Sequence, residues 1–215
     1  MNKIVAIDGP AGSGKGTIAK ILADKCNLMY IDTGAMYRAI AYKMLENNIK
    51  LEEEDKIVEL AKNSDIKFID GKTILDGKDI SREIRTMEVT KIVSPVSSIV
   101  KLREILVDLQ RKMAEGADVI MEGRDITTVV FPNATYKFYL DAAVEERAKR
   151  RYKENMEKNI ESSYEEILEN IKKRDYNDMH KEIGSLTRTE DSIYIDSTSM
   201  TIDEVVEKIK SIIEV

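Results

Sequence analysis

Residues 3 to 17, Lys-Ile-Val-Ala-Ile-Asp-Gly-Pro-Ala-Gly-Ser-Gly-Lys-Gly-Thr, constrain this chain more than any other stretch. Ile4, Val5, Ala6 and Ile7 form a short apolar run with β-branched residues, the pattern of a buried parallel strand. Asp8 ends the run. Gly9, Gly12, Gly14 and Gly16 follow, with Pro10, Ala11, Ser13, Lys15 and Thr17 among them, and then Ile18, Ala19, Ile21, Leu22 and Ala23 recur at helical spacing. Strand, Gly-rich turn and helix in that order are the context of a phosphate-binding loop. The glycines let backbone N–H groups converge on an anion without Cβ clashes. The helix N-terminus behind them adds partial positive charge. Lys15 can reach terminal phosphates, and the Thr17 hydroxyl can meet a magnesium ion or its water shell. The alternative, a Gly-rich turn that binds nothing, leaves these glycines and a lysine without a reason for their spacing. Asp8 could orient either the loop or the water of the metal.

The loop departs from the strict phosphate-loop pattern, because Gly16 follows Lys15 where Ser or Thr is usual and the hydroxyl arrives one place later. That Gly-Lys-Gly-Thr ending resembles nucleoside-monophosphate kinases rather than GTPases or motor ATPases. A guanine-reading Asn-Lys-x-Asp motif and an Asp-x-x-Gly switch are both absent from the sequence. A regulatory GTPase is therefore a poor fit. A structural protein with a degenerate nucleotide site fits poorly too, given an intact Lys15 and several paired arginines.

The whole chain, 215 residues, is long enough for one large or two small domains. Hydrophobic residues make up 42% of it, enough for a core, and the formal charge is −6. That acidity argues against a partner that is a nucleic acid polymer or an anionic membrane, while a small anionic ligand can still be held by local arginines. Cys26 is the only cysteine, so neither an internal disulfide nor a Cys cluster is available, and it is expected to pack near the end of the first helix. With no signal peptide before the first strand and no run of transmembrane length, a soluble cytoplasmic monomer is expected.

In chain order, Leu28–Asp32 reads as a second strand, followed by a helix from Thr33 to about Asn47. Thr33 could be a simple N-cap and Tyr37 core filler. Another helix is expected over 53 to about 63. Residues 65–80 change character: short β-prone runs are parted by Asp-Gly turn dipeptides, the pattern of a small antiparallel meander. A helix then starts near Thr86 and is interrupted or kinked by Pro95. An amphipathic helix from Val100 to Gly116 carries Arg103. Asp118–Glu122 is a third core strand running into Gly123-Arg124-Asp125. Carboxyl ends of parallel strands are where open α/β sheets place ligands, although a local salt bridge explains Arg124 and Asp125 equally well. Tyr136–Leu140 is a fourth strand. The charged helix after it, with Arg147, Arg150 and Arg151, reads locally as a solvated face. Asn155–Ser162 is polar and expected to be a mobile loop. Ser163 to Glu166 is a capping box opening a helix with Arg174, Asp178 and Lys181. His180, the only histidine, is expected to be exposed. Ser192–Asp196 is a fifth strand, and Thr201–Glu204 caps a last helix whose Val205, Val206, Ile209, Ile212 and Ile213 face the sheet.

Five parallel-type strands alternating with helices and opened by a phosphate loop fit an α/β, doubly wound P-loop fold. Taken together, the motifs closely resemble the bacterial cytidylate kinases. The matching stretches are Gly9–Thr17, Asp32–Arg38, Glu83–Thr86, Gly123-Arg124-Asp125 with Thr128–Pro132, and Arg174-Asp175 with Asp178. The small antiparallel β insert after residue 64 matches that family's monophosphate-binding domain. The resemblance implies a single kinase unit over 1–215, with a core at about 1–63, 96–150 and 163–215, the insert at about 64–95, and a short lid at about 151–162.

The resemblance further implies ATP as phosphoryl donor with Mg²⁺, and CMP or dCMP as acceptor. It places the ATP phosphates on Gly9 to Thr17, with Thr17 at the metal, and a closing lid with Arg147, Arg150 and Arg151. Arg38 and Arg124 would grip the acceptor phosphate, helped by Lys181. Ser94, Arg103 and Asp125 would read the cytosine edge, Arg174 and Asp178 would contact the ribose, and Thr33 and Tyr37 would be further substrate-binding residues. Lys15, Arg38, Arg124 and Arg174 would be the catalytic charges. Lys181 stands where the family usually has Arg, and Thr127 where it usually has Gly. A related P-loop kinase acting on another monophosphate, such as UMP or AMP, is the alternative.

Overall fold

The computed structural model describes residues 2–157 and 160–213. They form two compact units, one of residues 1–29 with 117–215 and the other of residues 30–116.

The first unit is built on a sheet whose centre is β1 (Ile4–Asp8), paired in parallel with β6 (Val119–Gly123) on one side and β7 (Tyr136–Asp141) on the other. Val5, Ala6 and Ile7 are fully buried, which explains the unbroken apolar run: a central parallel strand has no solvent face. β8 (Ile193–Asp196) adds to β7, and β2 (Met29–Asp32) enters at the other edge, where Met29 N donates to Asp118 O at 2.9 Å. The five-stranded order is β2-β6-β1-β7-β8. The connection from β1 thus leaves toward β2, while the one from β6 crosses to β7. Such a reversal opens a crevice at the carboxyl ends of the two strands.

Helix α1 (Lys15–Cys26) follows β1 and ends on Asn27 in the left-handed conformation, with Cys26 half-buried at its last position. Helices α6 (Val144–Glu157) and α7 (Tyr164–Met179) pack on each other through Ala148, Ile167 and Ile171. The polar stretch from Asn155 differs from expectation, since Asn155 to Glu157 are the last turn of α6. Asn155 is buried, donates to Ser162 Oγ at 3.0 Å and accepts from Ile160 N at 2.9 Å, and these bonds outweigh its loop-like composition. Within the expected lid, Lys158 and Asn159 lie outside the described residues, as do Glu214 and Val215 at the end of the expected core. Ser163 Oγ caps α7 through Glu166 N. Thr201 and Glu204 form a reciprocal capping box on α8 (Ile202–Ile213). Val205, Val206, Ile209 and Ile213 are buried there, but Ile212 only half so.

In the second unit, α2 (Thr33–Glu46), α3 (Glu54–Lys62), α4 (Met87–Val96) and α5 (Val100–Met113) accompany the antiparallel meander of β3 (Ile66–Ile69), β4 (Lys72–Leu75) and β5 (Lys78–Asp79). The meander turns at Asp70-Gly71 and Asp76-Gly77, and both dipeptides take positive φ. Asp32, not Thr33, is the N-cap of α2: its carboxylate accepts from Ala35 N at 2.8 Å, and Thr33 is the first helical residue. Pro95 does not break α4 but sits in its last turn, where little helix remains to disrupt. Helix α5 stops at Met113 rather than at Gly116, because i→i+3 bonds from Ala114 and Glu115 tighten its end. Gly116 takes the left-handed turn beyond, at φ 77°.

Candidate active site

The loop after β1 is shaped by what its glycines exclude. A Cβ on Gly9 would collide with the Leu140 carbonyl oxygen of the neighbouring strand end. Gly12 and Gly14 hold φ of 76° and 91°, values that side chains disfavour. The loop is also fastened from outside. Ala11 N donates to Asp175 Oδ1 at 3.2 Å, and Ala11 O accepts from Arg147 at 2.8 Å. Arg147 and Asp175 close the ring with an ion pair at 2.6 Å, and Arg147 also donates to Ala142 O. Ser13 Oγ is buried in the loop with no hydrogen-bond partner among the described residues. A buried hydroxyl of that kind fits an incoming acceptor such as a phosphate oxygen.

Lys15 is buried at the first position of α1, with its ammonium donating to Pro10 O at 2.9 Å. Burial, and then the charges of Arg124 and Arg174, pull the ammonium down to about 7 against the opposing pull of Glu122 and Asp8. The lysine therefore sits in a field of positive charge that an anion would relieve. Thr17 is exposed one turn into α1. Among the described residues no group of acidic, His or Cys side chains could cage a metal. The donor set suits Mg²⁺ that arrives on phosphates and needs one hydroxyl and water from the protein.

The turn after β6 carries Arg124 and Asp125. Arg124 Nε pairs with Asp178 Oδ2 on α7 at 2.7 Å. Lys181 reaches the other carboxylate oxygen at 3.1 Å, and Arg174 lies 3.9 Å away. Burial alone would raise the Asp178 carboxyl, but Arg124, Lys181 and Arg174 outweigh it and hold it at about 2. Burial likewise disfavours the Arg124 charge, and Asp178 reverses that, raising the guanidinium above its ordinary value. One carboxylate thus gathers the cations that the sequence pattern singled out. Asp125 is buried, and its carbonyl oxygen accepts from Val129 N at 2.8 Å and Val130 N at 3.2 Å, closing a π-helical turn over Ile126–Val130. Arg150 donates to Ser197 O at 2.6 Å, and Arg151, more exposed, pairs with Glu154.

The second unit holds the other candidates. Arg38 donates to Ile84 O at 3.2 Å and to Thr90 Oγ1 at 3.0 Å, so the first turn of α4 and the 3₁₀ turn Glu83–Arg85 orient it. Arg103 is buried, donates to Ser97 O at 3.0 Å and lies 5.6 Å over the ring of Tyr37. Thr33 is buried, and Ser94, half-buried, accepts from Ser97 Oγ and Ser98 Oγ through its carbonyl. His180 is exposed, just past α7, with its ring stacked on Tyr176. The sequence pattern gave no role to Asp175, Thr90 or Thr127. Asp175 had a readable signal, because it lies in the matching Arg174-Asp175 stretch three residues before Asp178 and so on the same side of α7, and Thr127 had one as a departure from the family pattern.

A parallel sheet of this order, with a glycine loop and a buried lysine after its central strand, defines a P-loop phosphotransferase. The cytidylate kinase family profile matches residues 5–215. A cytidylate kinase of Caldanaerobacter subterraneus subsp. tengcongensis is 54% identical over 95% of this chain and 92% of its own. One from Clostridium perfringens strain SM101 is 54% identical over the full length of both chains. The chain belongs to the cytidylate kinase family. The crystal structure of shikimate kinase from Bacteroides thetaiotaomicron shares the fold with a TM-score of 0.52 at 13% identity, covering 99% of each chain. No helix among the described residues is long and apolar enough to cross a membrane.

Proposed function

We propose that this chain transfers the γ-phosphoryl group of ATP, brought in with Mg²⁺, to CMP or dCMP, giving ADP and CDP or dCDP. An oxygen of the acceptor phosphate attacks the γ-phosphorus in line, and the bond to the ADP oxygen breaks. The enzyme supplies no nucleophile. Its work is positional and electrostatic, since two anions must meet. The observation that carries this reading is the gathering of Arg124, Arg174 and Lys181 around Asp178, with Lys15 feeling the charge of Arg124 and Arg174.

In this reading Gly9 to Thr17 cradle the ATP phosphates, and Ser13 Oγ finds there the partner it otherwise lacks. Thr17 holds the metal, which when bound screens the phosphate charges. Arg147 keeps the loop in shape, and the segment 151–162, with Arg151, covers the donor. Arg38, Arg124 and Lys181 take the acceptor phosphate. Arg174 and Asp178 take the ribose. Thr33 and Tyr37 line the acceptor, with the insert of about 64–95 as its binding segment. A monomer acting in the cytoplasm, where both substrates occur, completes the reading.

Asp125, Arg103 and Ser94 read the base. Cytosine offers an amino donor at position 4 where uracil offers a carbonyl oxygen, and an ionised carboxylate can only accept. A site that buries such a group rejects the wrong partner strongly, so CMP should exceed UMP by roughly a hundredfold or more in kcat/KM. Initial rates with CMP, dCMP, UMP, AMP and GMP test this, and Asp125→Asn should shrink the ratio mainly by losing CMP activity. Equal use of UMP by the wild type would establish the related monophosphate kinase instead.

A further inference from the structure

Asp8 is fully buried at the end of β1, directly before the phosphate loop, yet its side chain points its bonding capacity at the other loop. Its Oδ1 accepts from Ile126 N at 2.9 Å, and its Oδ2 accepts from Thr127 N at 2.7 Å and from the Thr127 hydroxyl at 2.6 Å. The backbone of Asp8 is meanwhile in ladder register with Gly123. Arg124 and Asp125 are therefore bracketed. On one side the β1–β6 ladder fixes Gly123, and on the other the Asp8 carboxylate fixes Ile126 and Thr127. Two residues have little freedom between such anchors.

We propose that Thr127, acting through Asp8, is a positioning residue for the Arg124–Asp125 turn and so for capture of the monophosphate acceptor. This rests on the reading of Arg124 and Asp125 as acceptor-binding residues given above. The argument is one of chemistry. A buried carboxylate needs its lone pairs satisfied, and backbone N–H groups alone give Asp8 two donors. The Thr127 hydroxyl, itself buried, supplies the third. Hydrogen bonds to an ionised group are among the stronger ones. Burial pushes the Asp8 carboxyl up while the hydroxyl and the two amides pull it down, so the hydroxyl also helps to keep this anchor charged. A residue without a hydroxyl at 127 leaves Oδ2 with a single donor and lets the turn shift against the ladder.

The test is Thr127→Val, which keeps the shape and removes only the hydroxyl, with Thr127→Ser as the conservative rescue. Thr127→Val should raise KM for CMP roughly five- to tenfold, the scale of one ordinary hydrogen bond, because the loss reaches the acceptor only through the turn, with KM for ATP within about twofold of wild type. Thr127→Ser should return KM for CMP to within about twofold. A parallel rise of both KM values would overturn the proposal, because a generally loosened fold does that. Loss of thermal stability with an unchanged KM for CMP would overturn it too. Should the valine variant not fold, a folded Thr127→Ser protein with a tenfold higher KM for CMP is equally fatal. Asp125→Asn is measured alongside. If it leaves CMP binding untouched, the acceptor reading itself fails, whereas an effect there with none in Thr127→Val removes this inference alone.

Discussion

The phosphate loop and the turn after β6 sit at the carboxyl ends of adjacent strands, and a buried carboxylate fastens each of them, but the fastenings differ in kind. Asp8 holds the β6 turn through neutral donors from the turn itself. Asp175 holds the phosphate loop as half of an ion pair, with Arg147 taking the carbonyl of the same residue whose N–H Asp175 accepts. The first clamp comes from an adjacent strand and is part of the sheet. The second comes from α6 and α7, far along the chain. A loop of glycines in left-handed conformations has little side-chain packing of its own, so its shape must be imposed by partners from outside. The β6 turn carries Ile126 and Val130 into the core and needs only its entry fixed.

Removing the charge that the loop presents should produce the largest effect. Lys15→Ala should leave the fold intact and lower kcat by roughly two decades or more, the usual worth of an electrostatic group at a transferring phosphoryl. Steady-state kinetics on the purified, folded variant checks this, and near-normal turnover would remove the loop from the chemistry.

The next effect concerns Asp178, which pairs with Arg124 beside the β6 turn. Burial would raise its carboxyl, but Arg124, Lys181 and Arg174 hold it at about 2 in the folded protein against an ordinary value of 3.8. The folded state binds this proton less readily than the unfolded one, so the stabilisation is fully present above about pH 4. It is lost as pH falls toward 2. At about 1.4 kcal/mol per pKa unit the loss comes to roughly 2 kcal/mol. Denaturant unfolding at several pH values should show it, with a flatter profile in that window for Asp178→Asn. The same slope in both proteins would mean that other carboxylates govern the acid limb.

Local patterns made much of this legible in the sequence. The apolar run of β1, the Asp-Gly turns of the meander, the N-cap half of the box expected at Ser163 and the full capping box at Thr201 all act within a few residues, and each is found where the pattern put it. What stayed hidden was long-range or subtle. Asn155 reads as a loop residue until its bonds to Ile160 and Ser162 are seen. The end of α5 was set by bonds that tighten its last turn, not by the glycine beyond. Among the site candidates, Lys15 stood out by its place in the glycine loop, whereas Arg124 read locally as a salt bridge just as well and took its role from the family resemblance. Asp175, though inside the matching Arg174-Asp175 stretch, and Thr127, noted only as a departure from the family pattern, had no role readable in the sequence, because their partners, the Ala11 backbone and the Asp8 carboxylate, are brought near them only by the fold.

Asp175→Asn gives the smallest effect and tests the contrast between the two clamps most directly. The amide can still offer an oxygen to Ala11 N, but its NH₂ then faces Arg147, which loses its counter-charge in a buried place. The Ala11 peptide is thereby freed on its carbonyl side, and the loop must be ordered again when the phosphates bind. The expected cost is about 1 kcal/mol, that of a hydrogen bond in a pre-arranged site, read as a three- to fivefold weaker affinity for ATP in calorimetry. Affinity for CMP measured without ATP should stay within about twofold. That is the mirror image of the split expected for Thr127→Val, where CMP suffers and ATP does not. If Asp175→Asn weakens both nucleotides alike, the two fastenings are not separate, and α7 fixes the whole strand-end region as one piece through Asp175 and Asp178 together.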